Sequence, residues 1–168
     1  MTERTLYLIR HAQADERGPR YPDDSLRPLI KKGHRQAEVL AAAFETLELP
    51  LDRLFSSPYL RALETARPLE GAVQNQRRLD TLQPLASSDY GELLSALSRQ
   101  IGPGDNAVAC VGHEPYLSEL TSLLLTGDPY RLDTRFRKAA TVILQGPIAA
   151  GAMELHGMLT ARMLKRLL

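Results

Sequence analysis

Three short apolar runs in this 168-residue chain end in side chains that can grip or attack an anion. Thr5 to Ile9 leads into Arg10-His11, Leu51 to Ser56 into Ser57-Pro58 with Arg61 close behind, and Ala107 to Val111 into Gly112-His113. A guanidinium stays charged near neutral pH and presents paired N–H groups to a phosphate, while an imidazole offers a donor or a lone pair. Taken singly, each is better explained as a solvated arginine or a satisfied histidine at a strand end. Placed together at three strand ends, Arg10, His11, Arg61 and His113 describe a phosphate site. His34 is the counter-example. It also follows a glycine, but it comes after Lys31-Lys32 and no apolar run, so a surface position is expected. His156 alternates with Leu155 and is expected to face outward.

The elements that must position these groups follow from periodicity. Short apolar runs alternate with longer amphipathic stretches, the pattern of an α/β layered domain. Strands are expected at Thr5–Ile9, Leu51–Ser56, near Arg78–Leu82, and at Ala107–Val111, Ala140–Leu144 and Ala152–Met158. Helices are expected at 34–47, where Ala37, Leu40, Ala41 and Phe44 share a face, at 60–69, 91–100, 116–125 and 160–168. Asp15 to Asp24, rich in Pro, Gly and charge, is a loop. In open α/β sheets the crevice beyond the strand ends takes the ligand.

Composition removes several alternatives. The length suits one domain, residues 1–168. Lys plus Arg number 21 against 20 for Asp plus Glu, a net charge of +1, which supplies no field for nucleic acid or anionic lipid; neither nucleic acid nor membrane is an expected partner. One cysteine cannot close an internal disulfide, and Leu6 to Ile9 is too short for a signal-peptide core, so a cytoplasmic location is expected. A cysteine phosphatase needs an arginine six residues after the thiolate; Tyr116 stands six after Cys110. The four histidines show no paired ligand spacing and no P-loop occurs, so neither metal nor cofactor is expected.

Leu8-Ile9-Arg10-His11-Ala12, then Ser56-Ser57-Pro58-Tyr59-Leu60-Arg61-Ala62-Leu63-Glu64-Thr65-Ala66, then Val111-Gly112-His113-Glu114-Pro115 occur in order over nearly the whole chain. On these motifs the sequence resembles the histidine phosphatase superfamily, the phosphoglycerate mutase-like branch, and within it the short SixA-like phosphohistidine phosphatases. Leu26-Arg27-Pro28-Leu29 followed by Gly33, and Phe136-Arg137-Lys138-Ala139-Ala140, match two more degenerate family elements. The resemblance implies a three-layer α/β/α sandwich with a mostly parallel central sheet. It implies that His11 is the nucleophile that accepts a phosphoryl group, with Arg10, Arg61 and His113 on its oxygens. Two neighbouring guanidiniums would disfavour imidazolium and keep His11 nucleophilic, and a backbone carbonyl on its other nitrogen would fix the tautomer.

Other positions stay open. Ser57 is either a turn residue before Pro58 or a hydroxyl on the phosphate. Arg27 either reaches over the site as a substrate-binding residue or is solvated. Glu114 is better read as a partner of the following helix's dipole than as a catalyst. Many relatives that cleave phosphate esters carry a carboxylic acid after the third strand. Here Thr81 takes that register, and the adjacent Asp80 would point elsewhere on an extended segment. An alkoxide leaves badly without an acid, whereas imidazole leaves far more easily. The expected substrate is therefore phosphohistidine in a phosphotransfer-type protein, with inorganic phosphate as product. A small-molecule phosphomonoesterase and a non-catalytic phosphate-binding module are the alternatives.

Overall fold

The computed structural model describes residues 2–74 and 79–168. Its centre is a six-stranded sheet ordered β3-β2-β4-β1-β5-β6, formed by β1 (Arg4–Arg10), β2 (Arg53–Ser56), β3 (Asp80–Thr81), β4 (Ala107–Gly112), β5 (Thr141–Gly146) and β6 (Glu154–Leu159). β1 pairs parallel to β4, β4 to β2 and β2 to β3, whereas β5 is antiparallel to both β1 and β6. Five of the six strands therefore run the same way, with β5 reversed.

Alternation along the central strands assigns two cores. Leu6, Leu8, Val108 and Cys110 face helices α3 (Tyr90–Gln100) and α4 (Tyr116–Thr126) through Leu93, Leu97, Leu117, Leu120 and Leu124. Tyr7, Ile9, Ala109 and Val111 face the other way, against Leu40 and Phe44 of α1 (Lys31–Thr46), Ala62 and Ala66 of α2 (Leu60–Ala66) and Leu164 of α5 (Ala161–Leu167). Both faces are covered, which is why the strands read as continuous apolar runs. The result is the expected three-layer α/β/α sandwich. Among the described residues, no helix is long and apolar enough to cross a membrane.

The departures from expectation are local. The helix expected at 60–69 is α-helical only to Ala66 and continues as 3-10 turns over Arg67–Ala72, because Pro68 has no N–H for the α ladder. The third strand shrinks to Asp80–Thr81, and the part of it expected at Arg78 lies outside the described residues. Helix α1 begins three residues early, at Lys31. The loop after β1 is tied down: Asp24–Leu26 forms a 3-10 turn, Ala14 bridges Leu29, and the Asp15 amide donates to the Pro28 carbonyl at 2.9 Å.

The start of α1 packs on the backbone just after β1. The Ile30 amide donates to the Gln13 carbonyl at 3.1 Å, and the Gln13 amide donates to Gln36 Oε1 at 2.9 Å. A Cβ at Gly33 would lie 2.0 Å from the Gln13 carbonyl oxygen. Only glycine admits this approach. Gly33→Ala is expected to cost about 1–3 kcal/mol, the range for forcing atoms into a packed site. Urea unfolding checks this, and an unchanged midpoint contradicts it.

Candidate active site

The strand register sets the site. Arg10 lies opposite Gly112 and Ser56 opposite Val111, so the next residues, His11, His113 and Ser57, emerge side by side at one end of the sheet. The backbone holds them there: the His11 amide donates to the Gly112 carbonyl at 3.0 Å and the Ser57 amide to that of Val111 at 2.9 Å. The imidazoles of His11 and His113 have centroids 5.2 Å apart, and Tyr59 packs 5.1 Å from His113. The Arg61 guanidinium lies over the Tyr59 ring at 4.9 Å.

His11 is 4% exposed. Its Nδ1 lies 2.7 Å from the carbonyl oxygen of Ala12. A carbonyl only accepts, so Nδ1 carries the proton and Nε2 carries the lone pair. Lys138 Nζ stands 3.5 Å from that Nε2. Burial first, then the charge of Lys138, pushes the His11 imidazolium down to about 2. Burial and the Arg61 charge push His113 down to about 3. Both rings are neutral near pH 7. Burial and the charges of Arg10, Arg27 and Arg61 bring Lys138 down to about 8.

The cations are held from behind. Arg61, 3% exposed, donates to the Asp24 carbonyl at 2.7 Å and to Asp24 Oδ2 at 3.0 Å. Arg27 donates to Asp24 Oδ1 at 2.8 Å and to the Asp15 carbonyl at 2.7 Å. Hydrogen bonding from Arg27, then the Arg61 charge, holds the Asp24 carboxyl below its ordinary value, so it is ionised. Arg10 donates to the Phe136 carbonyl at 2.5 Å. The buried Nε of Arg10 and of Arg61 and Nδ1 of His113 have no partner among the described residues. The cations and neutral imidazoles gathered at this end of the sheet suit an oxyanion.

Each expected site residue can now be located. Arg10, His11, Arg61 and His113 come together. Ser57 joins them, since its hydroxyl lies 2.7 Å from His113 Nε2 while accepting the Tyr59 amide at 3.3 Å. Arg27 is 8% exposed and paired with Asp24, so the solvated reading fails on burial. Glu114 anchors structure: it accepts from the Ser118 amide and hydroxyl at the start of α4, and from the Phe136 amide at 2.6 Å. Asp80 is half exposed and paired with Arg53 at 2.9 Å. His34 and His156 are exposed. Among the described residues no group of three His, Cys, Asp or Glu could hold a metal ion.

Three participants carry weaker sequence signals. Lys138 appears in the sequence only within a degenerate segment. Asp24 sits three residues before Arg27, a spacing that brings carboxylate and guanidinium together on one turn. Thr65 lies one turn after Arg61 on α2; its hydroxyl donates to the Arg61 carbonyl at 2.7 Å and accepts the Ala12 amide at 2.9 Å.

Fold and charge distribution define the class: an α/β sandwich whose sheet-end crevice suits an oxyanion. The chain belongs to the histidine phosphatase superfamily (branch 1), whose pattern it matches over residues 6–101. It is 32% identical over 124 residues, 73% of each chain, to an uncharacterized protein of a Picosynechococcus species. A solved structure of the protein histidine phosphatase SixA complexed with tungstate superposes with a TM-score of 0.79 at 20% identity, covering 94% of this chain and 97% of that one. A mycobacterial glucosyl-3-phosphoglycerate phosphatase in complex with VO3 superposes with a TM-score of 0.66 at 19% identity, covering 90% and 96%. Membership supports phosphatase activity, hydrolysis of a phosphorylated substrate.

Two outcomes follow from this geometry. Folded His11 resists protonation down to about 2 and His113 down to about 3, whereas in the unfolded chain each takes a proton near about 6.5. Between those values the unfolded state binds more protons, so stability is full above about pH 6.5 and falls on acidification. Urea midpoints should drop from pH 7 to pH 5, and less steeply in His11→Gln; a flat wild-type profile contradicts the neutral burial. Thr65→Val strips the Ala12 amide of its acceptor and should cost about 1–3 kcal/mol. Thr65→Ser should restore most of that loss in the same unfolding assay.

Proposed function

We propose that the protein is a phosphohistidine phosphatase acting on a protein substrate through a covalent phosphohistidine at His11. The observation that carries the reading is the His11 ring itself, with Nδ1–H given to the Ala12 carbonyl, the Nε2 lone pair facing only Lys138 Nζ at 3.5 Å, and a pKa of about 2. A neutral imidazole at pH 7 is ready for in-line attack on phosphorus. The phosphoryl oxygens would lie among Arg10, Arg61, His113 and Lys138, with Ser57 orienting His113 and Asp24 orienting Arg61 and Arg27. Charge on those oxygens, not elaborate covalent chemistry, is what such a site must stabilise.

The leaving group decides the substrate class. A phosphohistidine protonated on its other ring nitrogen departs as neutral imidazole when the P–N bond breaks, so it needs no acid from the enzyme. Water then attacks the phosphoryl group on His11 as the P–N bond breaks; its proton passes to a phosphoryl oxygen, so inorganic phosphate departs and His11, still carrying its Nδ1 proton, is left as neutral imidazole. An alkyl phosphate needs a proton on the departing oxygen. Thr81, in register with Ser56 on the neighbouring strand, has no acidic proton to give. Asp24 is ionised and bonded to two arginines, and Glu114 is committed to the Phe136 and Ser118 amides. One structural relative is complexed with tungstate and another with VO3, which supports an oxyanion as the ligand of this fold.

The test is a leaving-group series. Wild type should cleave a phosphohistidine peptide and aryl phosphates at least about 100-fold faster than alkyl phosphates, by the weight general acid catalysis ordinarily carries. Enzyme quenched in alkaline detergent, which preserves the P–N bond, should carry label in wild type and none in His11→Asn. A shallow series points to a proton donor and to small phosphate esters as substrates; label retained in His11→Asn removes the nucleophile.

A further inference from the structure

A cavity of about 900 Å3 opens beside the proposed nucleophile, between α1, α5 and the segment before β5. Lys138, which stands 3.5 Å from His11 Nε2, forms part of its wall. Moving outward, Lys32 and Arg35 line it from α1, Arg137 from the segment before β5, and Arg162 and Lys165 from α5. All five of these outer cations are exposed, and among the described residues none makes an ion pair. Among the described residues Glu38 is the single carboxylate on the wall. With a net charge of only +1 on the whole chain, this is a local concentration of positive charge and not a sample of a basic surface.

We propose that this groove is the docking surface for the acidic face of the phosphorylated protein, seating the protein beside the phosphohistidine that enters the active site. The inference rests on the phosphohistidine reading above. A side-chain phosphate presented by a folded protein brings the surrounding surface against the rim of the pocket, and Lys138 joins that rim to the reacting nitrogen. The row from Lys32 to Val39 on α1 spans about 10 Å at 1.5 Å per residue, the length of two helical turns of a partner. Val39 and Ala161 add apolar surface to the wall. Among the described residues no aromatic ring lines it, whereas single-stranded nucleic acid is ordinarily held by stacking on such rings. Complementary charge of this kind acts mainly on encounter and is screened over about 10 Å at 0.1 M salt.

The experiment compares two substrates: a histidine-phosphorylated phosphotransfer domain with surplus Asp and Glu around its histidine, and p-nitrophenyl phosphate. The triple variant R35E/R162E/K165E should raise KM for the protein at least tenfold and leave p-nitrophenyl phosphate turnover within twofold, which also shows that the variant folds. The neutral variant R35Q/R162Q/K165Q should fall between it and wild type. Wild-type kcat/KM for the protein should drop at least tenfold from 50 to 300 mM salt, with little change for the small ester. If wild type dephosphorylates the protein but neither salt nor the variants alter its KM, the docking surface is wrong and the phosphohistidine reading stands. If wild type leaves the protein phosphorylated, both fall. If the variants raise KM for p-nitrophenyl phosphate as much as for the protein, the groove is a small-anion subsite and the proposal is overturned.

Discussion

The carbonyl of Ala12 is the acceptor on which the site depends, because it takes the Nδ1 proton of His11 and so decides which nitrogen keeps a lone pair. That carbonyl is placed by a chain of contacts. The Ala12 amide is held by Thr65 on α2, the next amide by Gln36 on α1, and the Gln13 carbonyl by the first amide before α1. Gly33 leaves the room for that last approach. Two helices that supply no proposed catalytic histidine thus fix the tautomer of one. Moving the peptide by a rotamer's width would leave His11 free to turn, and a buried ring without its acceptor would lose the orientation that neutral attack needs.

Around this ring the chain concentrates Arg10, Arg27, Arg61 and Lys138, a grouping that repels itself when half buried. The structure offsets part of that repulsion with Asp24, whose two carboxylate oxygens reach separate guanidiniums. The remaining imbalance is relieved by the two imidazoles, which stay neutral. Such an arrangement costs stability and is reasonable only where fixed donors meet developing negative charge. Ala139 adds to the cost: it holds a left-handed φ of 56° beside Lys138, a conformation that a Cβ disfavours.

The layered fold and the meeting of Arg10, His11, Arg61 and His113 were legible because each group ends an apolar run, and parallel strands bring such ends together. The place of Glu114 at the start of α4 and the exposure of His34 were legible from their local context, whereas the bond from the distant Phe136 amide to Glu114 was not. Arg27 and Ser57 were ambiguous because their partners are distant in sequence: Arg27 is drawn in by Asp15 and Asp24, and Ser57 by His113. Helix and strand limits shifted where backbone chemistry intervened, as at Pro68, where an apolar pattern continues but the α ladder cannot. Lys138 carried no periodic signal at all. It precedes a strand instead of ending one, so a search of strand ends passes over it.

That last case follows from topology. A parallel sheet delivers only C-terminal ends to the crevice, and those ends here supply Arg10-His11, Ser57 and Gly112-His113. β5 runs antiparallel to β1, with Thr141 opposite Ile9, so its N-terminal approach arrives at the same edge. The residues just before it, Phe136 to Ala140, therefore lie against Arg10 and His11, where the Phe136 carbonyl receives Arg10 and the Ala140 carbonyl receives the Arg10 amide. Reversing one strand brings in a further cation, Lys138, without another loop over the site. It also leaves the neighbouring Arg137 on the groove wall shared with α1 and α5. A single reversal of strand direction thus couples the proposed reaction centre to the surface proposed to receive its substrate.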